Sequence, residues 1–157
     1  MTDTTATVGW EFKNGIYQAC LATFTSDVLV SLGRPDDYEA SAIVMVERAV
    51  VNENEATVGD SRQRDEDLTC EVVFSVTGAG MQAGQFDVES RAWGLVKQLE
   101  DHIHYIQSGV DNTTLGGAVL WCFLTRVEET ATGVFDLGRA VELTATFTAF
   151  ARIRAPF

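Results

Sequence analysis

Apolar and polar residues alternate most clearly over residues 68–77. There Leu68, Cys70, Val72, Phe74 and Val76 face one way against Thr69, Glu71, Val73, Ser75 and Thr77. A period of two predicts a strand with one face turned to a core. The pattern recurs near the C-terminus, where Val141, Leu143, Ala145, Phe147, Ala149 and Ala151 alternate with Glu142, Thr144, Thr146, Thr148, Phe150 and Arg152. It predicts a long strand from about Arg139 to Ile153. Apolar runs at Asp27 to Leu32, Ala42 to Val51 and Val119 to Val127 predict three more strands. The turn chemistry of Gly33-Arg34-Pro35-Asp36-Asp37 ends the first of these. Gly133 and Gly138 bracket the connection between the last two strands, and two long neighbouring strands pair naturally as an antiparallel hairpin.

Helical spacing appears twice. Ile16, Tyr17, Cys20, Leu21 and Phe24 predict a short helix starting at Gly15. Ala92, Leu95, Val96, Leu99, Ile103 and Ile106 form one stripe of a long helix, with Lys97, Glu100, Asp101 and His104 off it. Asp87 is the expected N-cap, and Ser108-Gly109 is the expected end, where glycine suits a left-handed cap. A single stripe means a single buried face. Residues 1–14 are polar and threonine-rich apart from Val8, Trp10 and Phe12, and read as a flexible arm. Residues 52–67 carry Glu53, Glu55, Asp60, Asp65, Glu66 and Asp67 with Arg62 and Arg64 between them, and read as a long solvated connection. The sum is an α+β fold: a mainly antiparallel sheet of four to five strands, with a long helix and a short N-terminal helix packed on one face. With no internal repeat and no linker, residues 1–157 are expected to form one domain.

Composition narrows the classes. The 157 residues are 46% hydrophobic and 22% charged, ordinary globular usage for a chain able to bury a core. No apolar run approaches the ~20 residues that span a bilayer, and Met1-Thr2-Asp3-Thr4-Thr5 does not open a secretory signal. A reducing, cytosolic origin is the default expectation. Cys20, Cys70 and Cys122 are odd in number, widely spaced and set in apolar stretches, so they read as buried free thiols. A formal charge of -12 repels phosphates, so neither specific nucleic-acid binding nor a membrane partner is expected. The same charge would suit a passage through which DNA slides without sticking.

The candidate chemistry is thin. Gly78, Gly80 and Gly84 lie between a strand and a helix, but their spacing is one residue too long for a dinucleotide fingerprint, and no G-K-[ST] is present. His102 and His104 are two apart on a helix and diverge by about 200°, so they do not converge on one metal. His102 reads as a boundary residue and His104 as solvated. The acidic run alternates in sign where a calcium loop needs oxygens and a central glycine. No cofactor, metal site or catalytic residue is therefore expected. Trp93 and Tyr105 flank the helical stripe, and Trp10 and Phe157 lie near the chain ends. They are residue types enriched where subunits meet, which makes Trp10, Trp93 and Tyr105 interface candidates.

The order helix, three strands, long helix, two strands resembles the tail terminator proteins of phages with long, non-contractile tails. Val30-Ser31-Leu32-Gly33-Arg34-Pro35 is similar to that family's strand-then-G-x-P step, and the long connection after the second strand and the final glycine-split hairpin also fit. The resemblance covers residues from about 15 to 153. It implies a non-enzymatic homo-hexameric ring that caps the finished tail tube, stops its polymerisation and offers a surface to the head connector. Its place would be the head-proximal end of the virion tail, reached from the host cytoplasm during assembly. The carboxylates of Glu53, Glu55, Asp60, Asp65, Glu66 and Asp67 are then expected to dock a partner or line the channel. A neck protein of similar fold would carry the same pattern. A small ligand-binding or enzymatic α+β domain with a pocket between helix and sheet is the alternative from another class.

Overall fold

The residues with the clearest alternation form the central strand of the sheet. The computed structural model describes residues 7–35, 40–58, 61–78, 84–104, 112–135 and 138–154, with side chains at all of these except 54–58, 61–63, 112, 131–135, 138–139 and 154. In chain order the elements are α1 (Gly9–Thr23), β1 (Leu29–Leu32), β2 (Ala42–Val58), β3 (Ser61–Thr77) and α2 (Gln85–His104). A 3-10 turn (Asn112–Thr114), β4 (Trp121–Phe135) and β5 (Gly138–Arg154) follow. The strands join in the order β1-β2-β3-β5-β4. Strand β1 runs parallel to β2 and every other pairing is antiparallel, so the sheet is mixed, with one parallel edge. Because β3 has partners on both sides and a core on one face, its side chains are held to a strict period of two.

Both helices lie against the same face. The α2 residues Val88, Ala92, Leu95, Val96, Leu99 and Ile103 are buried, as are Phe12, Ile16, Ala19 and Cys20 of α1. They meet the inward set of the sheet: Val44 and Val46 of β2, Leu68 to Val76 at alternate positions of β3, and Val141 to Ala151 at alternate positions of β5. On the opposite face Ile43, Met45 and Val73 form a small second cluster with Ala40 beside it.

Several expected boundaries move. Helix α1 begins at Gly9, so residues 9–14 belong to a helix and not to an arm. The signal was Val8, Phe12, Ile16 and Ala19, which continue the buried stripe backwards at helical spacing; Phe12 is fully buried and its N–H donates to the Val8 carbonyl at 2.8 Å. A side chain at Gly9 would press on Val51 at 2.9 Å, so glycine lets the helix start close to β2. Helix α2 starts two residues before Asp87. The Gly84 carbonyl accepts the N–H groups of Asp87 and Val88, which places Asp87 in the first turn, near the positive end of the helix, and not at the cap. The expected C-terminal end at Ser108-Gly109, the stripe residue Ile106 and most of the glycine loop lie outside the described residues. Gly33 has φ +72° and donates its N–H to the Val46 carbonyl, so the G-x-P step needs the glycine it has.

The largest correction concerns residues 52–67. They are strand. Asn52 pairs with Asp67, Glu53 with Glu66, and the ladder continues to Val58 with Ser61. The fourth strand likewise runs on from Val127 to Phe135 and meets β5 through Gly138.

Candidate functional site

The acidic stretch is organised by its strand register. Opposed Glu53 and Glu66 point to the helix-bearing face, as does Arg64, and like charges directly opposite each other destabilise a sheet. Arg64 resolves this by reaching both, at 3.7 Å to Glu53 and 3.6 Å to Glu66. Glu66 is fully buried. Its Oε2 accepts the Thr7 hydroxyl at 2.9 Å, and the Thr7 oxygen accepts the Gly9 N–H at 3.2 Å. This carboxylate therefore ties the start of α1 to the sheet, while its Oε1 keeps only the Arg64 contact. Asp65 points to the other face and accepts the Arg152 guanidinium at 3.0 Å, leaving its side chain 15% exposed.

The six carboxylates singled out by sequence thus do not form one solvated cluster. Glu53 is exposed, Asp65 and Asp67 are half-buried, and Glu66 is inside. Glu55 lies on β2 opposite Arg64, its side chain outside the described set, as is Asp60 altogether. Of the interface candidates, Trp10 on α1 and Trp93 on α2 are exposed, and Tyr105 lies outside the described residues.

An apolar patch at the β4 edge carries more exposed area than either tryptophan alone. Trp121 stacks on Phe150 across the strand pair with ring centroids 6.0 Å apart, Phe123 lies 5.5 Å from Trp121, and Arg152 sits over the Phe150 ring. Leu120, Trp121 and Phe123 are all exposed. The signal was the alternation Trp121, Cys122, Phe123, Leu124, which puts both aromatics opposite a buried cysteine.

His104 is not a solvated residue. Its Nε2 accepts the Leu124 N–H at 3.1 Å, its ring meets Phe123 edge-on at 5.1 Å, and Glu100 lies 3.8 Å from Nδ1. An accepting Nε2 places the proton of the neutral ring on Nδ1, facing Glu100. The residue braces the end of α2 against the edge strand. His102 is half-buried and lines an open cavity of about 550 Å³ between α1, the end of α2 and residues 115–118, with Trp10 on its rim.

The three thiols are free and buried, and burial pushes each up to about 12. Among the described residues no group of three or more His, Cys, Asp or Glu side chains is placed to hold a metal ion. Among those residues, too, no helix is long and apolar enough to cross a membrane.

No family model matches the chain, and no curated protein matches it. Among solved structures, the chain is similar to one in a structure described as the virion of a native gene transfer agent (GTA) particle. The TM-score is 0.49 and the identity 13%, over 91% of this chain and 94% of that one.

Proposed function

We propose that the protein is a structural phage tail assembly protein: a homo-hexameric ring that caps the completed tail tube, stops its polymerisation and presents a surface to the head connector. The observation that carries this reading is the element order α-β-β-β-α-β-β, with both helices on one face of the sheet. It is the order of the tail terminator proteins that the sequence resembles. Exposed Trp10, Trp93, Trp121 and Phe123 add support, since large apolar groups on an otherwise charged surface mark places that a partner covers. In this reading the protein sits in the virion at the head-proximal end of the tail, and DNA passes through the ring without specific binding.

Electron microscopy of the purified protein, with and without tail tubes, tests the proposal. Rings, and rings seated on tube ends, are expected. Monomers only, in sedimentation and native mass spectrometry with assembled tubes present, would overturn it. Within the acidic hairpin the test narrows to Glu53 and Glu55, because Glu66 is buried and Asp65 is held by Arg152. Glu53→Gln with Glu55→Gln impairs capping if the hairpin docks the tube, where charge sets register and partner choice. It leaves capping intact and slows DNA ejection if the hairpin faces the channel, where carboxylates keep phosphates from being held. Wild-type rates in both processes would make these two groups merely solubilising. The cavity beside His102 favours a second reading, a ligand-binding domain, for which the protein would remain monomeric.

A further inference from the structure

Strand β4 is an edge of the sheet, so the backbone groups on its outer side have no neighbouring strand to pair with. One of them is taken by a side chain. The Leu124 N–H donates to His104 Nε2 at 3.1 Å, beside the register shift between Leu124 and Arg126. His104 is the last residue of α2, so this bond joins the end of the long helix to the edge of the sheet.

A second partner stands on the other side of the ring. Glu100, one turn back on α2, lies 3.8 Å from Nδ1. The two partners require different charge states. A backbone N–H donates to Nε2 only while that nitrogen carries no proton, and a ring protonated at both nitrogens is a donor only. Two N–H groups facing each other at this distance repel, so the charged ring loses its place on Leu124. It keeps Glu100, now as an ion pair, and the carbonyl end of α2, where a cation is favoured. The side chains of His104 and Glu100 are 26% and 40% exposed, so solvent protons reach the ring and it can turn outward.

The neighbouring elements bring little competing charge. Strand β4 offers the ring Phe123, edge-on at 5.1 Å, and its exposed Arg126 and Glu128 are paired with each other at 3.2 Å. The inward residues of β5, and those of β3 from Leu68 to Val76, are apolar apart from Cys70, and Cys122 of β4 faces the same core. Burial pushes both thiols up to about 12, so they stay neutral wherever a histidine changes charge. Arg64 and Glu66 of β3 are engaged under the start of α1. From α1, Glu11 lines the cavity beside His102, and Lys13 lies near Cys70.

We propose that His104 is a proton-operated brace. Neutral, it holds the edge strand to the helix end. Protonated, it releases the Leu124 N–H, turns to Glu100 and leaves that point of the β4 edge unguarded. The switch lies within one protomer and alters no strand pairing.

NMR of the full chain tests this, following the His104 ring and the Leu124 amide through one pH titration. The range runs from about pH 8 to about pH 5, where an ordinary histidine changes charge. The Leu124 amide resonance is expected to move with the same midpoint as the His104 ring. Its exchange protection, corrected for the intrinsic effect of pH, should fall about fivefold, the worth of one ordinary hydrogen bond. The amides of β3 should keep theirs. His104→Gln, whose amide oxygen accepts at any pH, should make Leu124 protection independent of pH over this range. His102→Gln should respond as the wild type does. A His104 ring that titrates with no change at Leu124 would overturn the proposal. So would a wild-type response that persists in His104→Gln, or one that is lost in His102→Gln.

Discussion

Leu99→Ala measures how firmly the long helix is seated on the sheet. Leu99 is fully inaccessible and lies at the centre of the stripe Ala92, Leu95, Val96, Leu99 and Ile103, facing β3 and β5. The substitution removes three carbons, worth about 2.4 kcal/mol at ~0.8 kcal/mol per buried methylene. A cavity term follows, because the opposing wall is a five-stranded sheet that cannot collapse onto the helix. At ~24 cal/mol per Å³, an unfilled remnant of about 40 Å³ adds roughly 1 kcal/mol. The expected loss is about 3–4 kcal/mol, against a total stability of ~5–15 kcal/mol for a domain of ordinary size. Urea unfolding followed by circular dichroism reads this as a lower midpoint at unchanged slope. The protein must be dilute enough that association does not contribute. Gln98→Ala, at the exposed neighbouring position, is the control and should stay within ~0.5 kcal/mol. A loss below about 1 kcal/mol for Leu99→Ala, or one equal to the control, would refute the burial argument.

Three other expectations follow from the polar groups. Arg64→Met strands the Glu66 carboxylate and should cost about 2–3 kcal/mol, whereas Glu66→Gln, whose amide oxygen can still accept from Thr7, should stay within ~1 kcal/mol. If the double variant is not more stable than Arg64→Met alone in the same urea assay, the pairing is misread. The thiols of Cys20, Cys70 and Cys122 sit near 12 in the fold against an ordinary value of 9.0. Above pH 9 the unfolded chain releases protons that the fold retains, so stability is full below that value and falls as pH rises from 9 towards 12. A thiol reagent at pH 8 should label none of the three in the native protein and all three in denaturant. His104→Ala removes the acceptor of the Leu124 N–H, so hydrogen exchange at that amide should accelerate while the amides of β3 are unchanged.

The elements that show a sustained apolar face were legible in the residues alone. The alternation of Leu68 to Val76 and of Val141 to Ala151, and the stripe from Ala92 to Ile103, each follow from one face meeting oil and the other water. The sheet-and-helix architecture follows from burying those faces together. The strand residues 52–53 and 64–67 carried no such imprint, because charge pairing holds Glu53, Arg64, Asp65 and Glu66 where an apolar face would otherwise show. Arg64 reaches two acids, one on its own strand and one across the ladder, and Arg152 of β5 reaches Asp65. The start of α1 showed in the sequence only as Val8 and Phe12 continuing the stripe at helical spacing among polar residues, and the core that buries Phe12 is assembled from strands later in the chain. That Glu66 is inside, that His104 braces an edge strand, and that Leu32 and Trp121 stand on opposite rims of one sheet emerge only when the chain is folded. These depend on which strands become neighbours, and strand order is set by contacts between residues far apart in the chain, which no local pattern records.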